Sequence, residues 1–210
     1  MAMMSKRQLL HLGLASAGLM TLGSRAGFGH DNPMPPELRE AIERQAFAPV
    51  LGNAKGDITL TEFFDYNCPH CRTTMPVMKK LIAADRKLRV VFREWPIFGE
   101  GSAFASQASL AALNQGKYWP LHEALMKIKS KVGEAEVMAV VRRLDLDEAR
   151  LKRDMESEAV LGHIDHSMQL GDHLGLAGTP TFIAGHEGLF GGQDLAALSS
   201  LVATAREDLL

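Results

Sequence analysis

Cys68 and Cys71 are the only cysteines in this chain of 210 residues, and they close the stretch Thr59-Leu60-Thr61-Glu62-Phe63-Phe64-Asp65-Tyr66-Asn67-Cys68-Pro69-His70-Cys71. The stretch begins as a mostly apolar strand, passes through a turn, and predicts a helix that opens at the first cysteine. A helix N-terminus carries unpaired N–H groups and partial positive charge, so a thiolate there is favoured over a thiol. Pro69 suits the first helical turn because its missing N–H would have had no partner. His70 adds a group able to carry positive charge near the sulfur. Cys68 is therefore expected to be the exposed, low-pKa nucleophile, and Cys71, one turn further in, the resolving thiol. A stabilised thiolate leaves easily and makes a stable reduced product, so a disulfide between the two is oxidising. The alternatives are a structural disulfide or half of a zinc site. A ring this small constrains the unfolded chain little, and zinc would normally need a second Cys/His pair.

The length suits one ordinary domain with room for an insertion. With 46% apolar and 23% charged residues and a net charge of −2, the chain offers neither a nucleic-acid surface nor a polybasic membrane contact. Its first residues differ from the rest. Lys6-Arg7 precede Leu9 to Leu22, which holds no acid or base apart from His11, and Ser24-Arg25-Ala26 supplies small residues for cleavage. That pattern predicts a secretory signal peptide over residues 1–26, too short in its apolar part to span a bilayer comfortably. Ser5 to Leu10 also resembles a twin-arginine signal with Lys in the first basic place. No cysteine follows the apolar run, so no lipid anchor is expected. Export and cysteine usage agree, because both thiols are spent on one motif and none is left as a staple.

Residues 27–57 read as a leader with turn chemistry, including a short helix from Glu37 to Phe47 that is either a packing arm or an oligomerisation segment. Ile58 to Phe64 is the first core strand. The active-site helix is expected from Cys68 to about Ala84, with Pro76 kinking it, and Leu88 to Trp95 is the second strand. From Ser102 to Gly175 the pattern is helical throughout: Ser102–Gln115, Tyr118–Lys129, Glu134–Leu144, a helix opened by a capping box of Asp145 and Glu148, and a last one from about Glu158. Thr181 to Phe190 reads as a hairpin turning at Gly185 to Gly188, and Asp194 to Glu207 as an amphipathic closing helix.

Phe63-Phe64 followed by Cys68-Pro69-His70-Cys71 resembles the thioredoxin-fold disulfide oxidoreductases of the DsbA superfamily. Glu62 falls where thioredoxin-like proteins place a buried acid beneath the disulfide, Pro76 falls at their kink proline, and Gly178-Thr179-Pro180-Thr181-Phe182 resembles their cis-proline loop. The resemblance implies an α/β thioredoxin fold with an inserted helical domain: core residues 58–101, insertion 102–175, and core again over 176–210. It implies that Thr179 and Pro180 bind an extended client segment beside the sulfurs, and it requires no cofactor. Glu62 then becomes a buried carboxyl, its pKa raised by desolvation, that takes the proton from Cys71 during exchange; its bland alternative is an outward residue on a half-buried strand.

Expected partners are exported proteins bearing thiols, with a DsbB-like membrane quinone reductase that restores the disulfide. Thr179 departs from the valine usual before the cis-proline of the strongly oxidising member. It favours an isomerase or reductase kept reduced by a DsbD-like partner. A third reading is a copper-binding or holdase protein, since His163, His166 and His173 share one helix; a solvated histidine face is the simpler expectation there. Of the eleven methionines, most fall at core spacing and a few could line an apolar client groove.

Overall fold

The computed structural model describes residues 32–210, so the signal-peptide reading lies outside the described residues. In chain order these residues form α1 (Pro36–Glu43), β1 (Val50–Gly52), β2 (Ile58–Phe64), α2 (Pro69–Ala84), β3 (Leu88–Glu94), α3 (Glu100–Ala111) continued by a 3₁₀ turn (Ala112–Gln115), α4 (Tyr118–Met126), α5 (Glu134–Arg143), α6 (Glu148–Met155), α7 (Glu158–His173), β4 (Thr181–Ala184), β5 (Glu187–Phe190) and α8 (Leu195–Leu209). The class is α/β, as expected.

The sheet order is β1-β3-β2-β4-β5, and β2 runs parallel to β3 while the other pairs are antiparallel. Every residue of β2 and β3 is buried, because helices cover both faces. Leu60, Phe64, Val90 and Phe92 join the larger core with α2 and α8, whereas Phe63 meets Ile42, Trp95, Leu170 and Ile183 in a smaller one beneath α1. The helices α3 to α7 lie between β3 and β4 in sequence, and apolar residues from them, among them Ala105, Leu121, Val137 and Leu151, belong to the same larger core, while Leu170 of α7 joins the smaller one. Gly171 is where α7 meets Trp95: an added Cβ would stand 2.6 Å from the indole ring. No helix among the described residues is long and apolar enough to cross a membrane.

Several local expectations change. The first helix starts at Pro36 and stops at Glu43, short of Phe47, because the chain must reach the sheet edge, where Pro49 C=O accepts from Phe92 N–H at 3.0 Å. Val50–Gly52, read as a turn, is a strand held by β3. The cap of α6 is Asp147, whose carboxylate accepts from Arg150 N–H; Asp145, expected there, instead takes a left-handed conformation at φ 54° after α5. The hairpin turn is Gly185-His186 alone, with Gly185 at φ 58°, so β5 begins at Glu187.

Candidate active site

The α2 helix begins at Pro69, and Cys68 is its N-cap, in extended conformation at φ −77° and ψ 118°. Its Sγ accepts from Cys71 N–H at 3.4 Å, and as a thiol it donates to Thr179 C=O at 3.2 Å. Donation from the Cys71 thiol leads the effects that hold Cys68 down at about 6. The Thr179 hydroxyl and the backbone N–H groups of Cys71 and His70 add to it, against the cost of burial. That hydroxyl is buried and approaches the sulfur without completing a well-formed hydrogen bond.

Two expectations about this sulfur are corrected. Cys68 is 1% exposed rather than open, because the Thr179–Pro180 loop lies against it. His70 acts on it through its backbone N–H, while its exposed side chain stands beside Gly192.

Cys71 is fully buried, and burial first, then the neighbouring Cys68 and the charge of Glu62, push its thiol far above the usual range. Glu62 is 3% exposed, so the outward reading fails: β2 has no solvent face. Burial, reinforced by charge on Cys68, raises its carboxyl to about 8. Pro76 lies inside α2, and the Thr179–Pro180 peptide is cis, both as expected. Thr179 itself is buried and its carbonyl takes the Cys68 thiol, so its backbone is less open to a client than the sequence implied. A cavity of about 670 Å³ near Leu51, Ile82 and Trp119 contains none of these residues.

The turn before the motif holds polar residues whose role no local pattern announces. The Asp65 carboxylate accepts from Asn67 N–H at 2.6 Å, Ser102 Oγ at 2.7 Å and Phe98 N–H at 3.0 Å. Asn67 and Arg72 both reach the loop between α4 and α5. Tyr66 Oη lies 3.0 Å from His122 Nδ1 in α4, where Trp119 stacks on the imidazole. Asp65 before a helix-opening turn was the one local signal available.

Burial lowers His122 to about 3, so the ring is neutral and able to accept from Tyr66. The unfolded chain takes a proton below about 6.5 that the folded one refuses, so stability is lost as pH falls from there toward 3, by about 1.4 kcal/mol per unit. His122→Gln is expected to flatten that slope, measured as urea unfolding at pH 4 to 7; an unchanged slope contradicts it.

The late histidines separate. His163 is buried, with Nε2 2.8 Å from the equally buried Glu94 carboxylate at the end of β3, so it is no part of a solvated face. His166 Nδ1 lies 3.4 Å from Arg93 Nη2, and His173 is exposed. No group of three His, Cys, Asp or Glu side chains among the described residues is arranged to hold a metal ion. Met34, Met75, Met78, Met126, Met138 and Met155 are core residues. Large apolar groups left open include Phe98, whose N–H bonds Asp65, its neighbour Ile97, and Phe190, whose ring faces Gly178.

The sequence profile of the DSBA-like thioredoxin domain matches residues 59–203, which takes in the dithiol, the helical run and the cis-proline loop. The chain belongs to that family. A thioredoxin-like oxidoreductase from Silicibacter pomeroyi shares 46% identity and superposes with a TM-score of 0.78 over 80% of this chain and 98% of its own. The thiol-disulfide exchange protein alpha-DsbA2 of Wolbachia pipientis is 28% identical, with a TM-score of 0.73 over 80% of this chain and 91% of its own. The Na(+)/H(+) antiporter NhaA 3 of Salinispora tropica is 28% identical over 158 residues, 74% of this chain. The chain spans about a quarter of that relative's length. The matched domain contains Cys68, Cys71 and the Thr179–Pro180 loop together.

Proposed function

We propose that the chain is an exported dithiol oxidase of client proteins, with Cys68 as the attacked sulfur and Cys71 as the resolving one. The observation that carries this is the asymmetry of the pair: Cys68 ionises at about 6 at the helix mouth while Cys71 is held protonated by burial. A client thiolate attacks Cys68 of the disulfide, the client–Cys68 bond forms, and the Cys68–Cys71 bond breaks. Cys71 leaves with a proton supplied by Glu62, whose carboxyl burial favours in the neutral form. The client's second thiolate then attacks the client sulfur, and Cys68 departs as a stabilised thiolate. Two electrons have passed from client to enzyme, and Glu62 recovers its proton through solvent. Pro69 and His70 shape the helix mouth, and Thr179 with Pro180 forms the wall against which the mixed disulfide lies.

Supporting export are the apolar, basic-led first residues and the absence of any cysteine outside the motif. A DsbB-like quinone reductase would restore the disulfide. The second reading, an isomerase or reductase served by a DsbD-like partner, is favoured by Thr179, whose hydroxyl stands at the sulfur. A value of about 6 lies between roughly 7 for thioredoxin and roughly 3.5 for DsbA, so moderate oxidising power is expected. Equilibration with glutathione decides the direction. A reduction potential above about −200 mV supports the oxidase, and one below it overturns that reading in favour of the reductase.

A further inference from the structure

The four residues of the motif are bracketed by two side chains fastened to the same distant loop. On one side Asn67 pairs with Val132 in both directions: its Oδ1 accepts from Val132 N–H at 2.7 Å, and its Nδ2 donates to Val132 C=O at 3.0 Å. The same Nδ2 lies 3.0 Å from Ser102 Oγ on α3. On the other side Arg72 donates through Nε to Tyr66 C=O at 2.8 Å and through Nη1 to Ser130 C=O at 3.1 Å. The two brackets are joined, since Arg72 Nη2 donates to Asn67 Oδ1 at 3.2 Å. Residues 130 and 132 lie in the connection between α4 and α5, so every anchor beyond the turn itself belongs to the helical insertion.

We propose that Asn67 is a positioning residue that, together with Arg72, holds the sulfur of Cys68 at the helix mouth by fastening the dithiol motif to the helical insertion. The physical reason is the length and angle of the bonds that stabilise the thiolate. Cys71 N–H reaches Sγ at 3.4 Å, an ordinary length for a sulfur acceptor, and that distance depends on how the chain enters the helix at Cys68. Residue 67 sets that entry, and its side chain replaces a strand partner by binding both the N–H and the C=O of one residue. Released from Val132, the turn is free to rotate the N-cap, and the sulfur's bonds from the Cys71 and His70 N–H groups are weakened. The insertion thereby takes part in setting the ionisation of a cysteine on the thioredoxin core.

The inference rests on Cys68 being the attacked sulfur, and its test keeps the two claims apart. The reduced full chain is titrated by the ultraviolet absorbance of its thiolate, and its equilibrium with glutathione is measured alongside. In Asn67→Ala the Cys68 pKa is expected to rise from about 6 by about one unit, with a roughly tenfold weaker preference for the reduced form. Arg72→Lys, which keeps the positive charge but loses the forked contacts at an accessible position, is expected to move the same way by about threefold. Asp147→Ala removes the cap of α6, far from the motif, and serves as the control for general loosening. Unchanged titration in folded Asn67→Ala and Arg72→Lys overturns the proposal, as does an equal shift in Asp147→Ala. Should Asn67→Ala fail to fold, Arg72→Lys decides: a rise supports the clamp and a parental value rejects it. A parent that titrates like an ordinary cysteine removes the oxidase reading instead.

Discussion

Alanine at Cys68 is expected to abolish exchange, with a loss of at least about a thousandfold, while alanine at Cys71 leaves a chain that reacts once and stalls. The expectation follows from ionisation. With Cys68 at about 6, roughly nine tenths of that sulfur is thiolate at pH 7, whereas burial keeps Cys71 protonated at any ordinary pH. In reduced Cys71→Ala, Cys68 loses the thiol donor but keeps the backbone N–H groups, and its thiolate attacks a client disulfide, forms one S–S bond and expels one client thiolate. No second thiol of the enzyme remains to release the adduct, so a mixed disulfide accumulates. In Cys68→Ala the surviving thiol is buried and neutral and should form no adduct. Non-reducing electrophoresis after incubation with an oxidised client, followed by mass spectrometry, reads both outcomes. An adduct of Cys71 in Cys68→Ala would reverse the assignment of nucleophile and resolving thiol.

What the residues announced and what they hid divides along sequence distance. Cys68, Pro69, Cys71 and Pro76 sit within one helix, and their meaning is written in spacing that a helix turns directly into geometry. Glu62 and Pro180 were legible through resemblance, because their positions relative to the dithiol are set by the strand–helix unit and the loop opposite it. The clamp was not legible: Asn67 and Val132 are 65 residues apart, and nothing local says that an asparagine before a cysteine will find that backbone. His163 was read as solvated because its own helix offers no partner. Glu94, 69 residues earlier, becomes one only when α7 packs against the end of β3. The burial of Cys68 is hidden for the same reason, since the residue that covers it, Thr179, arrives from 111 positions away. Val50–Gly52 escaped notice as a strand because three residues carry no alternation, and only the edge of β3 makes them one.

Replacing Glu62 by glutamine should stabilise the protein at high pH and slow its chemistry, two effects of opposite sign from one proton. The folded carboxyl titrates at about 8 against an ordinary 4.5, so between those values the native state holds a proton that the unfolded chain has lost. Stability is therefore full below about 4.5 and falls as pH rises, by about 1.4 kcal/mol per unit, until the buried group ionises near 8. The accumulated loss is about 4 to 5 kcal/mol, and because Glu62 is 3% exposed, solvent does little to reduce it. Glutamine has no proton to lose, so Glu62→Gln should match or trail the parent near pH 4.5 and exceed it by about 4 kcal/mol at pH 9. Charge on Cys68 contributes to the raised value, so the parent's fall with pH should be shallower in the disulfide form, where that sulfur is neutral. The kinetic effect runs the other way. Cys71 departing from the disulfide needs a proton that glutamine cannot give, and the loss of a positioned acid costs about a hundredfold or more in rate. Denaturant unfolding of both redox forms across pH 4.5 to 9, together with client oxidation rates at pH 7, reads the two effects. Parallel stability curves for parent and variant would show that the carboxyl is not held neutral by burial, and an undiminished rate would remove it from the proton path between Cys71 and solvent.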